Sequence, residues 1–522
     1  MNPGKRRWSW ARALAPLSGG LLALAFSGPE LPLPLDWLVW VGLIPLFFAL
    51  ERCAYLGGLK RALLGGVSFF GLLLRWLYPL GEWTGPVILL LHLLLAGYLG
   101  LYWGAFAVGY LLLRRRLKPL PLALAVPALW LALELARAAG PLGFTWGDLG
   151  YALYRRTGLI QAAAYAGVWG LSFAIVLVNY LLFLALKRRS PWPLIAVGAV
   201  FLGLMLPSLA DVGKLSRPGE GQLPKVKVAI VQPNIPQRAK SSPQLAGELL
   251  AKYQRLLERV SPGEVDLVVL PESILPGYPL RQRELLQPFL DFARERGVHL
   301  LLGTLDYRQG RFYNSVVLIS PRGEVVAQYD KVKLVPFSPE YLPGRGLLER
   351  IGLKGLIARV APVNLTPGGG YHPLSSPGGL KGLATPICFE SIFPRISREF
   401  VRAGAKLLIT LTNDAWFGRT TALPQHFGIG VLRAVETRRW FVQAANTGIS
   451  GIVSPRGEVL ARSAIGEEEL IYGEVELLEE GQTFYVRFGD WLGWLGLIYL
   501  FYTGLVGPLL RRRVPRSIYL SS

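Results

Sequence analysis

Eight long apolar runs constrain this chain more than any other feature: they fall at about 13–27, 37–50, 62–80, 87–113, 120–139, 159–186, 193–209 and 491–510. Most approach the ~20 residues that a helix needs to cross the hydrocarbon layer of a bilayer. A single water-soluble domain is therefore excluded. With 52% hydrophobic and 17% charged residues, so is a disordered or fibrous chain. Between about 213 and 488 the pattern changes to alternating strand-like and helix-like segments. The expected architecture is a polytopic α-helical membrane domain of about eight transmembrane helices joined to an α/β domain. Its boundaries are 1–212 for a membrane domain with seven helices, 213–488 for the α/β domain, and 489–522 for the final helix and a basic cytoplasmic tail. A domain of that size buries a full core without disulfides or metals. The two cysteines, Cys53 and Cys388, fall in different domains and offer no disulfide framework.

A formal charge of +22 suggests nucleic acid until its distribution is examined. Residues 213–488 hold 34 Lys and Arg against 26 Asp and Glu, and the rest of the chain holds 22 against 8. Those 22 cluster at alternate ends of the apolar runs, as at Lys5-Arg-Arg7, Arg114-Arg-Arg116, Lys187-Arg-Arg189 and Arg511-Arg-Arg513. This is the pattern of cytoplasmic loops in a membrane protein. The partner is a membrane and not nucleic acid, and the α/β domain is expected outside the cytoplasm. The first run, Ala13 to Ser27, admits two readings, a first span or a cleaved signal ending near Ala23-Leu24-Ala25.

Arg75, Glu134 and Arg137 lie within or at the margin of the spans, where ionisable groups are costly and often functional. The plainer reading pairs Glu134 with Arg137 on one helix face. The Gly140–Asp148 segment with Trp146 reads as an interfacial belt or a substrate contact.

In the α/β domain three reactive residues stand just past apolar strands: Glu272 after Asp266–Leu270, Lys331 after 324–330, and Cys388 after Leu383–Ile387. Strand ends hold a rigid backbone at a cleft. A helix following Cys388 and a nearby lysine would favour its thiolate. Glu272 can take the thiol proton and later deprotonate an incoming amine, while Cys388 attacks a carbonyl to give a thioester. Lys331, with the backbone N–H of Phe389, would offset the charge on the tetrahedral oxygen. No metal or cofactor is required. Each residue has a plainer alternative: a buried small hydrophobe for Cys388, a turn cap for Glu272, a surface charge for Lys331. His426 reads as structural or peripheral, and no Cys-His or Ser-His pair is marked by local context.

The ordered segments Leu270-Pro-Glu272-Ser, Tyr329-Asp-Lys331-Val-Lys-Leu-Val-Pro-Phe337 and Ile387-Cys388-Phe-Glu390-Ser resemble the carbon–nitrogen hydrolase, or nitrilase, superfamily. Within it the chain is similar to the apolipoprotein N-acyltransferases. The further segments Val231–Gln237, Phe312-Tyr-Asn314-Ser, Leu411-Thr-Asn413-Asp-Ala-Trp416-Phe-Gly418, Gln425-His426-Phe, Asn446-Thr-Gly448-Ile-Ser450, and Glu134–Arg137 with Gly143–Trp146 and Gly150-Tyr151 support this.

The resemblance implies an αββα sandwich with Glu272 as base, Lys331 as oxyanion stabiliser and Cys388 as nucleophile. It implies support from Glu340, Glu390, Phe389, Asn314 and Asn413, and substrate contacts from Trp146, Trp416 and Arg137. The implied partners are a phospholipid acyl donor and a diacylglyceryl apolipoprotein acceptor. The implied location is the bacterial inner membrane, with the catalytic domain on the periplasmic or outer side. A membrane-tethered amidase or nitrilase would use the same three residues with water as the second nucleophile. The chain departs from the family at Lys333, where histidine is usual, at Phe389, where tyrosine is usual, at Ser338-Pro339, and in lacking tryptophan within Arg238-Ala-Lys-Ser. The Gly/Pro-rich stretch from Pro362 to Gly379 is a candidate gate.

Overall fold

The computed structural model describes residues 3–26, 34–211, 224–338, 341–350, 352, 354–355, 363–478 and 481–506. The chain divides into a helical unit, Met1–Ala139, Thr145–Val212 and Asp490–Ser522, and an α/β unit, Gly140–Phe144 and Gly213–Gly489.

The helical unit contains α1 (Pro3–Ala25), α2 (Ile44–Leu50), α3 (Tyr55–Leu73), α4 (Val87–Arg116), α5 (Pro119–Ala138), α6 (Ala163–Arg188), α7 (Trp192–Asp211) and a terminal helix, Trp491–Phe501. Five of these, α3 to α7, are long and apolar enough to cross a membrane. The second and third apolar runs differ from the uniform spans that hydropathy suggests. The second is interrupted: Leu35–Trp40 is a 3-10 turn preceded by Pro34, and α2 starts only at Ile44, with a proline in its first turn. Proline fixes φ and removes a donor, which suits the first turn of a helix, where that donor has no partner in the helix. The third begins at Tyr55, so Lys60 and Arg61 lie inside the helix, and its end is a 3-10 turn, Arg75–Leu80, containing Pro79. Inside the unit Phe47 packs on Phe106, Tyr110, Tyr180 and Phe183, joining α2, α4 and α6.

The α/β unit is two six-stranded sheets with helices outside them. One sheet has the order β12-β1-β2-β3-β4-β5, with β1 at Lys225–Gln232, β2 at Leu267–Val269, β3 at His299–Arg308, β4 at Arg311–Ile319, β5 at Val325–Asp330 and β12 at Glu469–Glu476. The other has the order β11-β10-β9-β8-β7-β6, with β6 at Leu374–Ser375, β7 at Lys381–Ala384, β8 at Leu407–Thr412, β9 at Trp440–Ala445, β10 at Gly451–Val453 and β11 at Val459–Arg462. In each sheet three central strands run parallel, β1-β2-β3 and β7-β8-β9, and antiparallel strands complete the edges. The parallel strands β2 and β8 are buried along their whole length, which explains their uninterrupted Leu, Val, Ile and Thr sequence.

Helices α8 (Ala246–Glu258) and α9 (Arg283–Arg296) cover the first sheet. They bury Leu249, Tyr253, Leu256 and Leu257 and, from α9, Phe289, Phe292 and Ala293 against Val268, Leu300 and Leu302. The spacing of the α8 residues is one helical face. Helices α10 (Pro394–Arg402) and α11 (Ala422–Thr437) accompany the second sheet, and α11 is buried from end to end. The sheets are tied through polar side chains: Asn446 Oδ1 accepts from Ile235 N at 3.1 Å, and Ser450 Oγ donates to Gln232 Oε1 at 2.7 Å.

Candidate active site

Parallel strands that end on the same side bring their following loops together. Glu272 follows β2, Lys331 follows β5, Asn413 follows β8, and Cys388 lies in the loop after β7, so residues far apart in sequence meet at one end of the sandwich.

Glu272 is held at every polar atom of its side chain. Oε1 accepts from Asn314 Nδ2 at 2.8 Å and from Lys331 Nζ at 3.1 Å, and Oε2 accepts from the backbone N–H of Asn413 at 3.0 Å. The carboxylate and the ammonium are both buried, Glu272 at 6% exposure and Lys331 at 4%. Burial alone would push the carboxyl up, but the charge of Lys331 and the hydrogen bonds from Asn314 and Lys331 outweigh it and hold Glu272 below the usual carboxylate value. The charged carboxylate is therefore the favoured form of Glu272.

The backbone under Glu272 is held as closely. Gly303 N donates to Pro271 O at 3.2 Å, and Ile274 N donates to Gly303 O at 2.9 Å. A Cβ on Gly303 would lie 2.6 Å from Glu272 Cα and 2.8 Å from Pro271 O, both backbone atoms. Gly303→Ala is therefore expected to destabilise the α/β unit by about 1–3 kcal/mol and to displace Glu272. Thermal unfolding and acyl-transfer rate of the purified variant check this; a variant matching the parent in both would refute it.

Cys388 opens a five-residue 3-10 turn, Cys388–Ile392, and has φ of 49°, left-handed backbone that side chains rarely adopt. The thiol differs from the sequence expectation of a favoured thiolate. Burial, then the negative charge of Glu272, push it up to about 12, and Lys331 offsets this only partly. A single 3-10 turn supplies little of the dipole of a full α-helix, and α10 begins only at Pro394. Glu272 is thus held toward its charged form and the Cys388 thiol toward its neutral form.

The supporting candidates separate. Asn314 binds Glu272 with its side chain. Asn413 uses its main chain, while its side chain bonds Gln237 Oε1 at 2.7 Å and Asn446 Nδ2 at 2.9 Å. Glu390 is fully buried and ties two loops together: Oε1 accepts from Val332 N and Lys333 N at 2.8 and 2.9 Å, Oε2 from Ile387 N at 2.8 Å, and Tyr329 Oη donates to both oxygens. Glu390 thereby fixes the segment after Lys331 against the segment before Cys388. Phe389 packs on Phe393 and on Phe144. Lys333 donates from Nζ to Gly140 O at 2.7 Å and lies over the Phe393 ring; burial pulls its ammonium down. Trp416 is half-buried on the turn after β8. Glu340 lies outside the described residues. The middle of the candidate gate is anchored, since Thr366 N donates to Phe312 O at 2.7 Å and Gly368 N to Lys331 O at 2.9 Å.

Arg137 and Trp146 belong to the helical unit. Arg137 pairs with Asp148 at 2.5 Å and donates to Trp146 O at 3.2 Å, rather than pairing with Glu134. Glu134 instead accepts from Trp130 Nε1 at 2.9 Å and Leu149 N at 3.2 Å, and Trp169 Nε1 donates to Asp148 at 3.0 Å. The segment 146–149 folds back along α5, so a partner eleven residues away displaces the one three residues away. The Trp146 ring packs on Trp76.

Two residues at the site escape sequence reasoning. Lys240 is buried, and its Nζ donates to the main-chain oxygen of Glu272 at 2.7 Å; burial pulls its ammonium down to about 7. Its one signal was the adjoining Asn-Ile-Pro-Gln segment. His426 is also buried, and it bonds Asp414, Ser391 and the carbonyl of Cys388. Its signal, Gln425-His426 at the start of α11, gave no hint of those partners.

The carbon-nitrogen hydrolase family model matches residues 227–484. The model for the N-terminal domain of apolipoprotein N-acyltransferase matches residues 18–181. The apolipoprotein N-acyltransferase of Geobacter metallireducens is 37% identical over 495 residues, covering 92% of this chain and 92% of its own. That of Thermotoga maritima is 33% identical over 516 residues, covering 95% and 93%, and that of Gloeobacter violaceus is 32% identical over 521 residues, covering 95% of each.

Proposed function

The chain belongs to the apolipoprotein N-acyltransferase family, and on that footing we propose that it moves a fatty acyl chain from a phospholipid, through a thioester on Cys388, to the α-amine of a lipoprotein's diacylglyceryl-cysteine. The observation that carries this reading is the buried Glu272–Lys331 pair, 3.1 Å apart, at the strand ends that also carry Cys388. Glu272 takes the thiol proton as sulfur attacks the ester carbonyl, and the ammonium of Lys331 faces the oxygen that becomes negative. Collapse releases the lysophospholipid oxygen, which takes the proton from Glu272. The acceptor amine then attacks the thioester, Glu272 accepts its proton and passes it to the departing sulfur, and an amide is left.

Both substrates are amphipathic and confined to a bilayer, which is the physical reason to join such a site to apolar helices. In this reading the first seven apolar runs and the last one span the membrane, eight in all, with Arg- and Lys-rich segments on the cytoplasmic side. The α/β unit then faces the outer side of the inner membrane.

The test is to incubate the purified protein with phospholipid and a diacylated lipopeptide and weigh the products. One added acyl chain on the peptide, in amide linkage, is expected. Release of free fatty acid alone would replace acyl transfer by hydrolysis.

A further inference from the structure

The main-chain carbonyl of Cys388 is gripped by one side chain from its own turn and one from α11. Ser391 Oγ donates to it at 2.7 Å, and His426 Nε2 lies 3.3 Å from it and 2.8 Å from Ser391 Oγ. On its other side His426 Nδ1 lies 3.0 Å from Asp414 Oδ1. Asp414, Ser391 and His426 are 0%, 1% and 2% exposed. We propose that Asp414, His426 and Ser391 form a positioning triad that clamps the Cys388 carbonyl and keeps the nucleophile in its left-handed backbone conformation.

The chemistry of the groups fixes their hydrogen-bonding roles. A carboxylate only accepts, so Nδ1 carries a proton toward Asp414. Ser391 spends its hydroxyl proton on the Cys388 carbonyl, so it accepts from Nε2–H. Both ring nitrogens are then protonated and the ring is an imidazolium. The charge balance agrees. Asp414 is fully buried and has one oxygen, Oδ2, without a hydrogen-bond partner among the described residues, so its charge needs a cation at contact. Burial works against a charged His426, but the charge of Asp414, its hydrogen bond and the Cys388 carbonyl outweigh it and raise the ring above its usual value; Glu272 adds a smaller contribution of the same sign.

Asp414 is itself located by Thr412, whose Oγ1 donates to Oδ1 at 2.9 Å, and by Gly448, where a Cβ would lie 2.5 Å from Oδ2. A path of contacts therefore runs from Thr412 through Asp414, His426 and Ser391 to the Cys388 carbonyl. Left-handed backbone at a non-glycine residue persists only where its surroundings impose it, and this path supplies the imposition.

The inference rests on Cys388 being the nucleophile, so the test separates the two. Full-length parent, His426→Ala and His426→Gln in detergent are treated with iodoacetamide from pH 6 to 10, and alkylation of the Cys388 peptide is followed by mass. Parent Cys388 is expected to react. His426→Ala is expected to react about tenfold more slowly or worse, with its profile moved to higher pH, and Gln, whose amide nitrogen can donate as Nε2 does, to recover part of the rate. An unreactive Cys388 in the parent would overturn the nucleophile assignment itself. A reactive parent with an unchanged profile in folded His426→Ala would overturn the triad alone. So would a lowered unfolding temperature with unaltered rate, or a Gln variant no better than Ala.

Discussion

Cys388→Ala is expected to lose acyl transfer by on the order of 10⁴-fold or more, with the fold retained. The size follows from the chemistry: without sulfur there is no thioester, and Glu272 with Lys331 can only assist a direct attack for which the site is not arranged. Retention of the fold follows from the geometry. The side chain loses one atom at a site that keeps some exposure, and the φ of 49° is as accessible to alanine as to cysteine. Intact-mass measurement after exposure to phospholipid gives a direct readout. The parent should gain one fatty acyl mass, located on the peptide containing position 388, and the variant none. Transfer at near-parent rate by Cys388→Ala would remove the thioester from the mechanism.

Lys331→Met is expected to cost both activity and stability, the latter by roughly 3–5 kcal/mol near neutral pH, because it leaves Glu272 buried without its cation. The pH dependence has a definite sign. In the parent, the folded-state value of Glu272 lies below its unfolded value, so its contribution to stability is present above the unfolded value and is lost as pH falls through the folded one. In the variant the leading influence becomes burial, which raises the carboxyl. Its neutral form is then favoured by folding, and the variant gains relative stability as pH falls. The stability gap between parent and variant should thus narrow toward acid pH. Adding Glu272→Gln to Lys331→Met should restore much of the stability and none of the activity. Thermal unfolding of the three proteins across pH 5 to 8 checks this, and a Lys331→Met protein as stable as the parent at pH 7 would contradict the buried-pair account.

Much of the α/β unit is legible before folding because its cues are local. The leucine and β-branched runs at 267–269 and 407–412, the amphipathic spacing in 246–258 and the Pro-Glu-Ser stop after β2 each depend on a few neighbouring residues. The short strands β6 and β11 leave no comparable trace, since edge strands of two to four residues carry too little pattern. Hydropathy likewise locates α3 to α7 but cannot see that Pro34 and Pro45 break the second run into a turn and a short helix.

That this chain joins apolar helices to an α/β domain with a glutamate, a lysine and a cysteine at strand ends is written in its residues, because periodicity and strand-end position are properties of short segments. Which state those groups rest in and what holds them depends on partners brought from distant segments. Burial outweighs the short turn at Cys388 and keeps its thiol neutral. Lys240 reaches Glu272 across 32 residues, His426 reaches the Cys388 carbonyl across 38, and Arg137 takes Asp148 in place of Glu134. Desolvation and hydrogen-bond partnership depend on which segments the sheets bring to one place, and that is settled only when the two sheets close on each other.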